Sequence, residues 1–180
     1  AFVSRDEEES NETQVEEEDI AGILGIHSNM EPEGNFTGGH AWVSHHKEGG
    51  SRNNYGLWPD NIVDNGDASD VRLGLEDKRT PKFSRYYPLT EKQNQKFEEF
   101  VEKKDDWGYT HTCADWASDC VNHVVGEDVD SDDWLGFETP REISKSIRKR
   151  EGRNTSPKKE AAPSSSRNSF GDSYNDLYLP

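Results

Sequence analysis

The chain has 180 residues, 32% of them charged and only 29% hydrophobic, with a formal net charge of −16. That length suits one domain with tails, and the acidic balance repels phosphate backbones, which argues against a nucleic-acid partner. No apolar run approaches the roughly twenty residues a membrane-spanning helix needs, so no membrane span is expected.

The first twenty residues hold nine acidic side chains against one basic, and the last forty hold nine basic against five acidic. Polar, charged ends of this kind cannot bury enough apolar surface to offset ordering entropy. The expected organisation is an acidic disordered tail over residues 1–19, a folded domain over 20–150, and a disordered polar tail over 151–180. Residues 19–26 form a short apolar patch interrupted by Gly22 and Gly25, and 27–39 read as a Gly/Pro/Asn-rich loop.

A strand is expected over 40–44, then a glycine-bearing turn and a second strand over 54–58. Pro59 ends this hairpin and an acidic loop follows. A third strand is predicted over 71–75, and 80–88 read as extended. Thr90 with Gln93 forms a capping box ahead of Phe97, Phe100 and Val101 at helical spacing. In the next helix Thr112 is the expected N-cap. Cys113, Trp116, Ala117, Cys120, Val121 and Val124 line one face, and Gly126 stops it. Thr139, Pro140 and Glu142 open a last helix.

Two pieces carry chemistry. Gly38-Gly39-His40 puts a histidine at a strand start, and Cys113 occupies the first turn of a helix, where orphan N–H groups and the helix dipole favour a thiolate. Cys120 lies about 10 Å further along the same helix, too far for a disulfide. His45 and His46, at the turn, are expected to be solvated, and His111 stands on the wrong side of the helix start to serve as base.

The segments His40-Ala41-Trp42-Val43, Tyr55-Gly56-Leu57-Trp58-Pro59-Asp60 and Thr112-Cys113-Ala114-Asp115-Trp116-Ala117 resemble the permuted papain-like thiol hydrolases of the NlpC type, which include secreted bacterial cell-wall amidase toxins. The resemblance spans about residues 36–148. It implies an α+β fold in which a small antiparallel sheet packs on the helix carrying the N-terminal Cys. It also implies a thiol hydrolase, an amidase or peptidase, with Cys113 as nucleophile and His40 as general base. The third polar residue, commonly a histidine near the end of the second strand, is replaced there by Trp58 and Pro59, and Asp60 is the nearest substitute.

No cofactor and no metal are implied. The implied partners are a peptide or peptidoglycan substrate and an immunity or inhibitor protein, in a secreted protein or one delivered into a target cell or its periplasm. Alternatives are an acyltransferase or lipid esterase of the same fold, or a non-catalytic interaction module displaying Trp107, Tyr109 and Trp134. Calcium binding at Asp128, Asp130 and Asp132 is a further option. There, however, Asp133 stands where a calcium loop needs glycine and Glu138 falls one position early.

Overall fold

A computed structural model of the chain describes residues 20–34, 38–59, 69–108, 110–129 and 139–151. The described part is α+β: a five-stranded antiparallel sheet and three helices. In chain order these are β1 (Gly22–Ser28), β2 (Ala41–Lys47), β3 (Arg52–Leu57), β4 (Val71–Leu73), β5 (Phe83–Leu89), α1 (Glu91–Glu102), α2 (Cys113–Val125) and α3 (Pro140–Glu151). The sheet order is β4-β3-β2-β1-β5.

The first apolar patch is a strand, and an inner one: β1 pairs with both β2 and β5, and all seven of its residues are buried. Its glycines accommodate close neighbours. A Cβ on Gly25 would stand 2.6 Å from Ser44 Oγ and 2.7 Å from His27 Nε2, and one on Gly22 would fall on the Asn94 side chain. Glycine here admits crowded partners instead of breaking the strand.

Alternation divides the sheet into two faces. Leu24, Ile26, Ala41, Val43, Leu57, Phe83 and Leu89 meet Phe97 of α1, the apolar stripe of α2, and Ile143 and Ile147 of α3 in one core. The expected caps set the helix ends. Thr90 and Gln93 bond reciprocally at the start of α1, as do Thr112 and Asp115 at the start of α2, and Gly126 closes α2 in the left-handed region at φ 74°. At α3, Thr139 Oγ1 accepts from the Glu142 N–H at 3.3 Å. Glu151, the last residue of α3, pairs with Arg85 of β5.

One expectation is corrected here. His45 is not solvated: β2 runs on to Lys47, which places His45 on the helix side, stacked on Phe97 and bonded through Nε2 to Asn94 Oδ1 at 2.9 Å. Desolvation, only partly offset by that bond, lowers its pKa.

The connection over 74–82 decides the geometry of the site. It leaves β4 at one edge of the sheet and must reach β5 at the other, so it crosses the face opposite the helices. Alternate residues of β3 and its continuation meet it in turn. Asn54 Nδ2 donates to Asp77 Oδ1, Gly56 lies against Glu76, and the Arg79 guanidinium sits over the Trp58 ring. Lys82 N–H then donates to the carbonyl of Ser28 at the end of β1.

Candidate active site

His40 stands at the end of the sheet, immediately before β2, where both the start of α2 and the 74–82 crossover reach it. The Cys113 side chain lies near enough to its imidazole to raise the pKa of the ring. The other side of the ring meets Glu76, with Nε2 and Oε1 2.7 Å apart. A carboxylate can only accept, so Nε2 carries the proton and Nδ1 is the basic nitrogen of the neutral ring. That is the tautomer a base at Nδ1 requires.

Burial is tight around the pair. Glu76 is 1% exposed, His40 5% and Cys113 8%. Trp58 packs its ring on His40 at 4.1 Å between centroids and donates its indole N–H to the same Glu76 oxygen at 2.6 Å. Trp42 stacks beside His40 at 5.9 Å with the planes 14° apart. Glu76 therefore holds two N–H donors on one oxygen, while Oε2 has no partner among the described residues. Gly56 makes room for this arrangement, since a Cβ there would fall on Glu76 Oε1 and lie 2.8 Å from His40 Nε2.

Electrostatics follow from the contacts. Burial, the largest influence, pulls the His40 pKa down. Hydrogen bonds that Cys113 and Glu76 accept from the ring, reinforced by their charges, outweigh it and leave the pKa above that of an ordinary histidine. The imidazolium form is thus supported on both sides. The capping box of α2 engages the N–H groups of Thr112 (2.7 Å to Asp115 Oδ2) and Asp115, and leaves that of Cys113 outside it. Cys120 is wholly buried, and desolvation pushes its thiol far above the usual range. Both cysteines are free and buried, Cys113 at the start of α2 beside His40 and Cys120 in the interior of the helix.

Of the expected site residues, the structure brings Cys113 and His40 together. Asp60 lies outside the described residues, and the group bonded to His40 Nε2 is Glu76, which the sequence reading did not select. His111 pairs with Asp105 at 3.0 Å, apart from this cluster. Trp107 is half-buried against the core, with its backbone N–H bonded to Asp70 Oδ2; Tyr109 and Trp134 lie outside the described residues, as do Asp130, Asp132, Asp133 and Glu138. Among the described residues no three His, Cys, Asp or Glu side chains are grouped to hold a metal ion, and no helix is long and apolar enough to cross a membrane.

No family model matches this chain, and no curated protein or solved structure is significantly similar to it.

Proposed function

We propose that the chain is a thiol hydrolase of the permuted papain-like kind, with Cys113 as nucleophile, His40 as general base and Glu76 as the residue that orients His40. The observation that carries this reading is the buried run Cys113–His40–Glu76. A thiol at a helix start meets an imidazole whose far nitrogen is committed to a carboxylate. Buried ionisable groups so arranged cost stability unless paired, and they cluster where chemistry is done.

The reaction is acyl transfer to water. His40 Nδ1 takes the Cys113 proton, and the sulfur attacks the carbonyl carbon of an amide. The oxyanion formed accepts from N–H groups at the start of α2, chiefly that of Cys113. The carbon–nitrogen bond breaks, the amine leaves with the proton from Nδ1, and a thioester remains. Water then gives a proton to Nδ1 and its oxygen to the acyl carbon. The carboxylic acid departs and the thiol is restored. Glu76 accepts from Nε2 throughout and stabilises the imidazolium that forms twice per cycle.

The substrate class rests on the resemblance of the His40, Gly56–Trp58 and Cys113 segments: amide bonds of bacterial cell-wall peptides, attacked by an exported amidase. Mass spectrometry of purified peptidoglycan incubated with the intact protein tests it against Cys113→Ala. New peptide fragments with the wild type alone are expected. Identical spectra from both proteins would remove this substrate.

A further inference from the structure

The ring of His40 is held by Cys113, Glu76 and Trp58, but a ring is only as well placed as the backbone that carries it. On its N-terminal side that backbone is Gly38-Gly39, at φ 111° and 77°, the least restrained dipeptide the chain could use. Something else must fix His40.

We propose that Asn29 is the positioning residue that fixes the His40 backbone at the end of β2, an inference that rests on Cys113 and His40 being the reacting pair. The β1–β2 ladder ends at Ser28 opposite Ala41. One step further, the Asn29 N–H still donates to the His40 carbonyl at 3.2 Å, as a ladder would have it. The return bond is different: the His40 N–H donates to Asn29 Oδ1 at 2.7 Å, the side chain standing in for the backbone carbonyl. His40 therefore stays gripped by two bonds while the backbone after Asn29 turns away. Gly39 permits the turn, since a Cβ there would fall on the Met30 side chain.

The grip is itself anchored. Ser28 Oγ donates to the Pro140 carbonyl at 2.5 Å. The Ser144 hydroxyl lies 2.8 Å from Ser28 Oγ and 2.7 Å from the Met30 carbonyl. Ser28 and Ser144 are buried, so residues 28–30 are locked to the first turns of α3. Through Asn29, the docking of α3 is wired to the position of the base.

The test compares Asn29→Ala, which removes the acceptor, with Asn29→Asp, which keeps it, in the full chain. Two readouts are taken: iodoacetamide alkylation of Cys113 from pH 5 to 9, and the titration of the His40 ring by NMR. The groups that face that ring are Cys113 and Glu76, with Arg79 over the adjoining Trp58. Loss of one well-made bond corresponds to roughly tenfold slower alkylation at pH 6 in Asn29→Ala, with its His40 midpoint moved down. Asn29→Asp is expected to stay within about threefold of wild type, since the acceptor bond persists. A merely structural role would lower the melting temperature and leave the His40 midpoint where it was. An Asn29→Ala protein with wild-type alkylation and titration overturns the proposal. Where wild-type Cys113 itself reacts as an ordinary thiol, the nucleophile reading fails, and the His40 midpoint alone decides Asn29: movement supports it, constancy overturns it. Should Asn29→Ala not fold, Asn29→Asp decides, retained alkylation supporting and lost alkylation overturning.

Discussion

Replacing Gly56 by alanine tests whether Glu76 belongs to the site. Gly→Ala at a tolerant position raises stability by roughly 0.4–1 kcal/mol, because it restricts the unfolded chain. Here the new methyl group would occupy the place of Glu76 Oε1 and crowd His40 Nε2 at 2.8 Å, and both side chains are buried. The carboxylate must leave, and a hydrogen bond to a charged group is worth about 1.5–3 kcal/mol. That loss outweighs the entropic gain. It corresponds to a roughly tenfold to 150-fold fall in any rate that depends on the oriented imidazole. The assay is iodoacetamide alkylation of Cys113 at pH 6 with a thermal melt of the same sample. Gly108→Ala is the control, since a Cβ there meets nothing within 4 Å. Wild-type alkylation and melting in Gly56→Ala would refute the placement of Glu76.

Cys120 should stay unmodified under conditions that label Cys113 completely, as peptide mapping would show, because its thiol is fully desolvated. His27 gives a pH signature. Its Nε2 faces both Ser44 Oγ at 2.8 Å and the donor-only Arg52 at 3.4 Å, so the ring is neutral and donates from Nδ1 to Ser84 Oγ. Burial first, then Arg52, holds its pKa well below the ordinary value. The unfolded chain therefore takes up a proton that the folded one refuses, and stability is lost as pH falls below about 6.5, by up to about 1.4 kcal/mol per unit. The drop in melting temperature from pH 7.5 to 5.5 should be smaller in His27→Gln than in wild type. His40 works in the opposite sense, its raised pKa adding stability at low pH that is lost as pH rises through the folded value. Thr112→Ala should cost about 1 kcal/mol in chemical denaturation through loss of the cap.

Much of the fold was legible because local signals agreed with it. The capping residues Thr90, Thr112 and Gly126 sit where the helices begin and end, and the stripe from Trp116 to Val124 faces the core. β1 was missed because Gly22 and Gly25 read as interruptions, whereas they answer to Asn94, Ser44 and His27, residues far off in sequence. His45 was misjudged because β2 extends to Lys47, and neighbours contributed by α1 decide its burial. Cys113 and His40 carried their own signals, a helix start and a Gly-Gly hinge. Glu76 carried none, as it lies in a charged turn that resembles any solvated one. Only the crossing from β4 to β5 brings it under His40. The single hint was Gly56 inside a strand, a mark of something approaching closely.

The central claim is that His40 activates Cys113, and the most direct measurement is the rate of Cys113 alkylation against pH in wild type and His40→Ala. Cys113 in the wild type is expected to alkylate markedly faster than in His40→Ala, because the imidazole takes the thiol proton. The difference is expected to be largest at the acid end of the range, where thiolate is scarce without a base beside it. Two superimposable profiles would contradict the claim.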